Sequence, residues 1–363
     1  MRIGIIGGGA SGTFLAIRLK EKNPSFDVTI IERNDKLMKK LLVTGNGRCN
    51  YANLGSLENK YNSSFANELL KKFSPQSIVD TFDQYGIHPT MIDKLVFPVS
   101  LSAQTVVLQL QKRVNELGIK VSLNEMLVDY HRQNSLFVVQ TEKQEYQFDR
   151  LVFSCGGKAY PQLGTDGAVL ELLKNKGYSI SPLSPSLSPL KVKENTKKIS
   201  GQRQKCHVSL FDDKKLIYEE DGEVLFKDDG ISGIVILNIS QKINQINNQK
   251  NIKIVIDLAF NKGSISKEQY DEYVSPKIAE YLISNNLDIH KLVFSFKGFY
   301  DYQIAEVSHG GLSLNELSDS LESKRESGLY FTGEVVDVDG MCGGYNLMFA
   351  FASAEAVKNA IKE

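Results

Sequence analysis

The feature that most constrains this chain is a glycine-rich turn between two apolar runs at its N-terminus. Gly7, Gly9 and Gly12 have Gly-x-Gly-x-x-Gly spacing after the first run, and the second run (28–31) ends in Glu32. The first glycine permits a tight strand-to-helix turn, the second lets backbone approach a pyrophosphate, and the third lets the helix pack on the sheet. The pattern predicts a βαβ unit that binds an adenine dinucleotide, with its phosphates at the helix N-terminus and Glu32 on the ribose hydroxyls.

Charge and hydropathy limit the kinds of partner that this chain is expected to bind. The chain of 363 residues has 43 Lys and Arg against 43 Asp and Glu, so no excess of positive charge favours nucleic acid or an anionic membrane. No run of eighteen apolar residues predicts a membrane span, and the apolar start lacks the basic region and cleavage site of a signal peptide. We expect a cytoplasmic protein that acts on a small molecule, with no nucleic-acid or membrane partner.

The four cysteines are scattered along the chain at Cys49, Cys155, Cys206 and Cys342. None forms a C-x-x-C pair, so the sequence provides no local dithiol of the disulfide-reductase kind and no metal-ligand spacing. We therefore predict no metal site.

The pattern along the rest of the chain divides it into three parts. Helices are predicted at 74–86 and 102–118, alternating strands over 120–149, and a buried parallel strand at 151–157. Ser- and Pro-rich residues 181–189 are typical of a linker. The segments that follow are predicted as strands at 208–211, 216–218, 223–226, 234–239 and 252–258, a loop or frayed helix at 241–251, and a helix within 270–282. A strand at 328–334, a glycine-rich turn at 340–346 and a helix at 347–361 return to the first pattern, which indicates a discontinuous domain with an insert.

Several longer motifs resemble one family of flavoproteins. They are KLLVTGNGRCNYAN (40–53), VFPVSLSA (96–103), GGKAYPQLGTDG (156–167), GEVLFKDDGISG (222–233) and GLYFTGEVVDVDGMCGGYNLMFAF (328–351). The chain is similar to the flavoproteins usually labelled NAD(P)/FAD-dependent oxidoreductases, which include an aminoacetone oxidase and a reductase of bile-acid intermediates. The motifs extend over almost the whole sequence, and GRCN at 47–50 combined with GGYNL at 343–347 is highly specific.

The resemblance implies an α/β fold with a discontinuous FAD-binding Rossmann-like domain of the glutathione-reductase type. Its two parts would be residues 1–187 and 312–363. Residues 188–311 would form an inserted β-barrel-like domain for substrate, with a small helical piece at about 263–296.

Candidate cofactor-binding residues follow from the motifs and the resemblance. Glycines and first-turn residues at the helix start would contact the pyrophosphate, Glu334 after its strand would bind the ribityl chain, and the last helix would present free N–H groups to the flavin pyrimidine edge. The Lys40–Asn50 loop would wrap the cofactor with cations near the phosphates. The full set is Gly7, Gly9, Ala10, Ser11, Gly12, Glu32, Arg33, Lys40, Thr44, Gly47, Arg48, Cys49, Asn50, Gly156, Gly157, Gly333, Glu334, Gly344, Tyr345, Asn346 and Leu347.

The chemistry is predicted only in outline. The chain would be an FAD-dependent oxidoreductase that moves hydride between flavin N5 and a small organic substrate, either as an oxidase of a small amine or as a nicotinamide-driven reductase. No second Gly-x-Gly-x-x-Gly follows a strand, so NAD(P)H would dock only transiently as donor. His309, in the sequence Ser-His-Gly-Gly, is a candidate proton carrier, although the sequence favours a solvated turn histidine over that role. The alternatives are a non-catalytic flavin protein that senses redox state and, on a related flavoprotein fold, modification of a tRNA base.

Overall fold

The protein, described over residues 1–362 of a computed structural model, divides into two compact units. One comprises Met1–Leu183 together with the chain from Val307 onwards, and the other is Ser184–Glu306. The insert was expected at residues 188–311, and the second unit comprises residues 184–306.

The first unit is built on a five-stranded parallel sheet in the order β19-β10-β1-β2-β6. Its strands are β1 (Arg2–Ile6), β2 (Asp27–Ile31), β6 (Lys120–Ser122), β10 (Arg150–Phe153) and β19 (Leu329–Phe331). The runs in β1, β2 and β10 are almost wholly apolar because both faces of the sheet are covered, in part by helices and in part by Tyr130 and Phe148 of a small antiparallel sheet. All five strands have the same direction, so their carboxyl ends meet at one edge, where ligands bind in open α/β sheets.

The helices of this unit are α1 (Ala10–Lys22), α2 (Ser64–Lys72), α3 (Pro75–Gln84), α4 (Ala103–Glu116), α5 (Ala168–Asn175) and α8 (Tyr345–Ala360). Helix α3 lies within the predicted 74–86: Ser74 caps it by accepting a hydrogen bond from the Ser77 N–H, and Pro75 occupies its first position. An aromatic cluster joins three of these helices: Phe14, Phe82 and Phe351 lie with ring centroids 4.8–5.7 Å apart. Helix α8 is therefore fixed against α1 and α3 although it comes last in the chain.

Three small sheets, of which the first two are antiparallel, complete the first unit. They are β3 (Ala52–Asn53) with β5 (Leu95–Pro98) and β4 (Pro89–Ile92); β7 (Leu127–Gln133) with β8 (Leu136–Thr141) and β9 (Glu145–Phe148); and β11 (Ile180–Ser186) with β18 (Val307–Leu312). The linker predicted at 181–189 is wrong over most of its length, since 180–186 form β11. Pro182 and Pro185 are accommodated because every strand of a two-stranded sheet is an edge strand, where a missing N–H need not break a ladder.

The second unit is a closed six-stranded barrel in the order β12-β15-β14-β13-β16-β17, which confirms the predicted inserted barrel. Its strands are β12 (Leu190–Val192), β13 (Arg203–Asp212), β14 (Lys215–Lys227), β15 (Gly230–Ser232), β16 (Ile252–Asp257) and β17 (Leu292–Phe299). Two helices accompany them, α6 (Ile234–Asn244) and α7 (Pro276–Ser284), with short 3-10 helices at Lys197–Ile199, Gln249–Asn251 and Lys267–Glu272.

One prediction for this unit is wrong. Residues 234–239, predicted as a strand, begin α6, since a continuous run of β-branched residues does not distinguish a buried strand from a buried helix. Val235, Ile236, Ile239 and Ile243 are buried at helical spacing. The small helical piece predicted at about 263–296 consists of the 3-10 helix Lys267–Glu272 and α7, and from Leu292 onward the chain closes the barrel as β17.

Candidate active site

The turn between β1 and α1 shows why its three glycines are needed. Gly7 has a φ of +104°, and a Cβ there would lie 2.6 Å from the Ser154 carbonyl oxygen. A Cβ at Gly12 would collide with the Gly7 carbonyl and the Ser154 hydroxyl. Gly9 differs, because its φ is −75° and its nearest non-neighbouring atom would be 4.0 Å away. The fold therefore requires glycine at 7 and 12, whereas the missing side chain at Gly9 leaves open space at the N-terminus of α1.

Glu32 lies at the same edge of the sheet. Its carboxylate accepts a hydrogen bond from the Gly8 N–H at 2.7 Å and two from the backbone and side-chain amides of Asn34, both at 2.8 Å. The side chain is buried, with 7% of its surface exposed. Glu32 is thus held directly against the glycine turn, where a nucleotide ribose would follow the pyrophosphate. The next predicted residue, Arg33, pairs with Asp166 at 2.6 Å.

The loop after β2 folds back onto the turn and carries Lys40 to a carboxylate. The Met38 N–H donates to the Gly8 carbonyl at 2.8 Å, and Lys40 Nζ lies 2.7 Å from Glu334 Oε2. Both Lys40 and Glu334 are about four-fifths buried, so the pair is shielded from solvent more than a surface ion pair. Two of the positions predicted to bind cofactor, 294 residues apart in sequence, are in direct contact.

The other predicted residues of this loop have different surroundings. Arg48 is exposed, with its guanidinium 5.2 Å from the centre of the Phe97 ring. Cys49 has no exposed surface, and burial raises the pKa of its thiol to about 12, which leaves it protonated at neutral pH. Thr44 donates to the Leu41 carbonyl, and the Gly47 carbonyl accepts from the Ala103 N–H. These residues shape the loop through their own contacts.

A glycine pair follows β10 and faces Glu334. Ser308 Oγ accepts hydrogen bonds from the N–H groups of Lys158 and Ala159, at 2.7 and 2.9 Å, and the Ser308 N–H donates to Glu334 Oε1 at 2.8 Å. A Cβ at Gly157 would come within 2.7 Å of Ser308 Oγ. Ser308 therefore joins the turn after β10 to Glu334. Sequence reasoning did not single it out, although it directly precedes the glycine-flanked His309.

The turn after β19 contacts α1. A Cβ at Gly333, whose φ is +72°, would lie 2.6 Å from Ser11 Oγ, and the Gly333 N–H donates to Ser353 Oγ at 2.9 Å. The hydroxyl of Thr332 is buried and finds no hydrogen-bond partner among the residues the structure describes. At Gly156, with φ of +73°, the space is limited by Thr165. The turns that follow β1, β10 and β19 are thus packed together at one edge.

A second glycine pair, Gly343 and Gly344, forms the turn that leads into α8. Gly343 and Gly344 have φ values of +109° and +87°. Asn346 accepts from the Gly340 N–H at 2.8 Å and donates to the Gly340 carbonyl at 2.9 Å, while Asn50 accepts from the Gly344 N–H at 3.2 Å. The first N–H groups of a helix have no partner within it, so those of Tyr345 and the following residues form a positive helix end.

The fit of these residues to a dinucleotide rests on three observations. Two helix N-termini, of α1 and α8, begin in this unit with side-chain-free glycine turns. The space at Gly9 is not filled by protein. A carboxylate lies at each predicted sugar position: Glu32 beside the turn after β1, and Glu334 beside Ser308. Phosphates bind well at helix N-termini, and sugar hydroxyl groups donate to carboxylates. Among the described residues, no group of His, Cys, Asp or Glu could hold a metal ion, and no helix is long and apolar enough to cross a membrane.

His309 is not in a turn, contrary to expectation, but within β18. Its Nδ1 lies 2.7 Å from Asp339 Oδ1, and the Asp339 side chain has no exposed surface. Burial lowers the pKa of His309, but the hydrogen bond to Asp339 and the charges of Asp339 and Asp337 together outweigh it and raise the pKa above 6.5. Asp339 was not predicted, since nothing in the sequence marks which acid meets a histidine thirty residues away.

The chain is similar to known proteins over nearly its whole length. The family model described as HI0933-like protein Rossmann domain matches residues 1–360. A 3-dehydro-bile acid delta(4,6)-reductase of Clostridium scindens is 30% identical, covering 100% of this chain and 99% of the relative. A ribosomal RNA dihydrouridine synthase of Haemophilus influenzae is 28% identical, covering 97% of this chain and 96% of the relative. The solved 3-ketosteroid delta1-dehydrogenase of Sterolibacterium denitrificans is 9% identical, covers 99% of both chains and has a TM-score of 0.52, a similarity of fold.

Proposed function

The chain belongs to the HI0933-like family, and on that premise we propose that it is an FAD-dependent oxidoreductase that reduces a carbon–carbon double bond conjugated with a carbonyl group. The observation that carries the proposal is similarity over nearly the whole chain to two reductive enzymes with very different substrates. What these substrates share is the chemistry proposed for this chain.

The shared chemistry is that of a conjugated carbonyl. In a 3-dehydro bile acid with delta(4,6) unsaturation, the double bonds are conjugated with the 3-oxo group. Dihydrouridine is uridine with its C5–C6 bond saturated, and that bond is conjugated with the C4 carbonyl. In both, hydride adds to the carbon remote from the carbonyl, negative charge spreads onto the oxygen, and a proton completes the product. A site that accepts such a bond needs a hydride source and an acid.

The residues that would hold the cofactor are those at the carboxyl edge of the sheet. The N-terminus of α1, open at Gly9, would receive the pyrophosphate, and Glu32 the adenosine ribose. Glu334, positioned by Lys40 and Ser308, would bind the ribityl chain. The N–H groups at Tyr345–Leu347 would face the pyrimidine edge of the flavin, where negative charge collects on reduction. FAD, when bound, supplies hydride at N5.

The electron donor proposed is a reduced nicotinamide, which would dock transiently. This choice follows from the reductive activities of the two relatives, and it replaces the small amine as the first substrate to test. The amine-oxidase version remains the competing outcome, in which an amine reduces the flavin and oxygen reoxidises it.

A second candidate substrate is a uridine of ribosomal RNA, which the Haemophilus influenzae relative specifically favours. Against it stands the balance of 43 basic and 43 acidic residues, because RNA binding rests largely on an excess of positive charge at the interface. A low-molecular-weight enone is therefore the first choice and RNA the second.

The test separates the two half-reactions. FAD-loaded protein is mixed anaerobically with NADH or NADPH, and bleaching of the flavin absorbance is followed. The reduced protein is then mixed with a 3-oxo-4,6-diene steroid, a simple cyclic enone or ribosomal RNA lacking dihydrouridine. We expect bleaching by a nicotinamide and reoxidation by a conjugated acceptor. Reduction by small amines only, or a reduced protein that none of these acceptors reoxidises, would refute the proposal, and turnover of any acceptor would exclude a purely sensory flavoprotein.

A further inference from the structure

One of the five histidines is bound to a carboxylate that has no exposed surface, whereas the carboxylates beside His88, His207 and His290 are all partly exposed. His290 uses both nitrogens on protein, with Nδ1 3.0 Å from Asp257 and Nε2 3.1 Å from the Gly263 carbonyl. His309 uses Nδ1 on Asp339 at 2.7 Å, while Nε2 has no protein partner within residues 1–362. The ring keeps 21% of its surface exposed, although Asp339 behind it has none. His309 therefore presents one free nitrogen from a ring whose other nitrogen is fixed by a buried carboxylate.

The backbone around this pair is fixed on both sides. Asn62 accepts from the Asp339 N–H at 3.0 Å through its side chain and donates its own N–H to the Asp339 carbonyl at 3.0 Å. The Asn62 side-chain amide also donates to Asp337 Oδ1 at 3.2 Å. On the opposite side, Ser308 is bound to the turn after β10 and to Glu334. The position of His309 is consequently set by several hydrogen bonds that do not involve its own ring.

His309 lies between two parts of the proposed flavin site. The residue before it, Ser308, contacts Glu334, which would bind the ribityl chain. Its ring partner, Asp339, is followed at once by Gly340, which Asn346 ties to the first turn of α8. Both contacts belong to the first unit, so the placement depends on that unit alone. A hydride acceptor stacked at N5 would then lie within the region bounded by Glu334 and the start of α8.

The charges that act on His309 favour its protonated form. A carboxylate only accepts hydrogen bonds, so Asp339 requires the proton on Nδ1 and leaves Nε2 to take or give the second. Asp337 adds negative charge from the same segment. The 3-10 helix Gly333–Val335 contributes Glu334, which Lys40 neutralises, and β11, which pairs with β18, contains no titratable side chain. Burial lowers the pKa of His309, and the two aspartates raise it further than burial lowers it.

We propose that His309 is the catalytic acid of the reduction and that Asp339 is the positioning residue that holds its ring charged and oriented. The inference rests on the proposed function. As hydride from the reduced flavin forms a C–H bond at the carbon remote from the carbonyl, the C=C π pair moves toward the carbonyl. The carbon next to the carbonyl then takes the proton from His309 Nε2. A nicotinamide supplies the two electrons that restore the flavin, and solvent returns the proton to His309.

The experiment combines half-reaction kinetics with a titration of the ring. Variants His309→Gln and His309→Asn are compared with wild type, with His290→Gln as the matched control of a carboxylate-bound histidine in the other unit. We expect flavin reduction by the nicotinamide to stay within about 2-fold in all of them. Reoxidation by the enone should fall about 10²–10⁴-fold in both His309 variants, the usual contribution of a general acid, and remain unchanged in His290→Gln.

Asp339→Asn tests the positioning role by a readout other than activity. In FAD-loaded protein carrying ¹³C-labelled histidine, the NMR titration of His309 should show a pKa above 6.5 in wild type and a lower one in Asp339→Asn. The alkaline limb of the reoxidation rate should move to lower pH in parallel, since the acid is lost as pH rises through the His309 pKa. An unchanged titration would overturn the role of Asp339.

The outcomes distinguish this inference from the function on which it rests. If wild-type protein is reoxidised by the enone and the two His309 variants react equally fast, the catalytic role of His309 is refuted and the proposed function stands. If no conjugated acceptor reoxidises wild type, both are refuted.

Discussion

Gly9 offers the sharpest test of the cofactor assignment, because the structure separates its role from those of its neighbours. Its φ and ψ of −75° and −164° suit any residue, and an added Cβ would meet no non-neighbouring atom closer than 4.0 Å. Replacing Gly9 by Ala should therefore leave the FAD-free fold intact. Its free energy of unfolding should be unchanged or raised by about 0.4–1 kcal/mol, since alanine reduces the entropy of the unfolded chain.

The same methyl group should weaken cofactor binding. If the pyrophosphate occupies the open space at Gly9, inserting one methyl into that contact costs about 1–3 kcal/mol, the typical penalty of overpacking. This corresponds to an increase in the Kd for FAD of about 5- to 160-fold. Kd would be measured by flavin fluorescence titration of FAD-free protein, and stability by urea unfolding of the same preparation.

Gly12→Ala is the matched comparison. Its Cβ would collide with the Gly7 carbonyl and the Ser154 hydroxyl, so this variant should lose stability even without FAD, by about 1–3 kcal/mol or more. A Gly9→Ala protein that binds FAD as tightly as wild type would refute the placement of the pyrophosphate. A Gly9→Ala protein as unstable as Gly12→Ala would refute the reasoning from open space.

Three further predictions concern buried side chains of the first unit. The Phe82 ring is fully buried, and its centre lies 4.8 Å from those of both Tyr51 and Phe351. Replacing Phe82 by Ala should lower the free energy of unfolding, measured in urea, by about 3–5 kcal/mol, and replacing it by Leu should lower it clearly less. Equal losses in the two variants would contradict the packing argument. Glu125 is buried. Burial raises its pKa, but hydrogen bonds from Ser122, Thr141 and Tyr146 outweigh this and lower it below 4.5. The ionised Glu125 carboxylate therefore adds to the free energy of unfolding above pH 4.5, and this contribution is lost as pH falls through the lowered pKa. Glu125→Gln should be less stable than wild type by about 1.5–3 kcal/mol at pH 7, and the difference should narrow in acid; a gap independent of pH would refute the assignment. Cys49, with its thiol pKa at about 12, should resist a thiol reagent until the protein unfolds, and Cys49→Ala should leave the rate of flavin reduction unchanged; rapid labelling of native protein would show the thiol to be accessible.

The parts of the fold that the sequence predicts are those specified by short-range patterns. Gly7 and Gly12 are predictable because steric exclusion within one turn demands glycine, and the apolar runs of β1, β2 and β10 because both faces of the sheet are covered. Residues 234–239 were mispredicted because their apolar, β-branched composition fits a buried helix and a buried strand equally. The closed barrel was expected from family resemblance, not from periodicity.

The candidate site follows the same division. Glu32 is identifiable because it directly follows β2, and Glu334 because it follows β19 after a glycine. The contacts that give them chemical character, Lys40 with Glu334 and Asp339 with His309, join residues far apart in sequence. No local pattern encodes which acid meets which base across such a distance, so those pairs become visible only in the folded chain.

The discontinuity of the first unit bears on how the protein is made. β10 pairs with β1 on one edge, but its other edge is completed by β19, a strand that the ribosome produces after the whole barrel. During synthesis, that edge, with its apolar Leu151–Phe153, is an unpaired strand and hence a site for aggregation. Helix α8 likewise arrives last to cover Phe14 and Phe82. Nascent chains that stop before Leu329 should therefore depend on chaperones, and flavin binding should require synthesis to have passed α8.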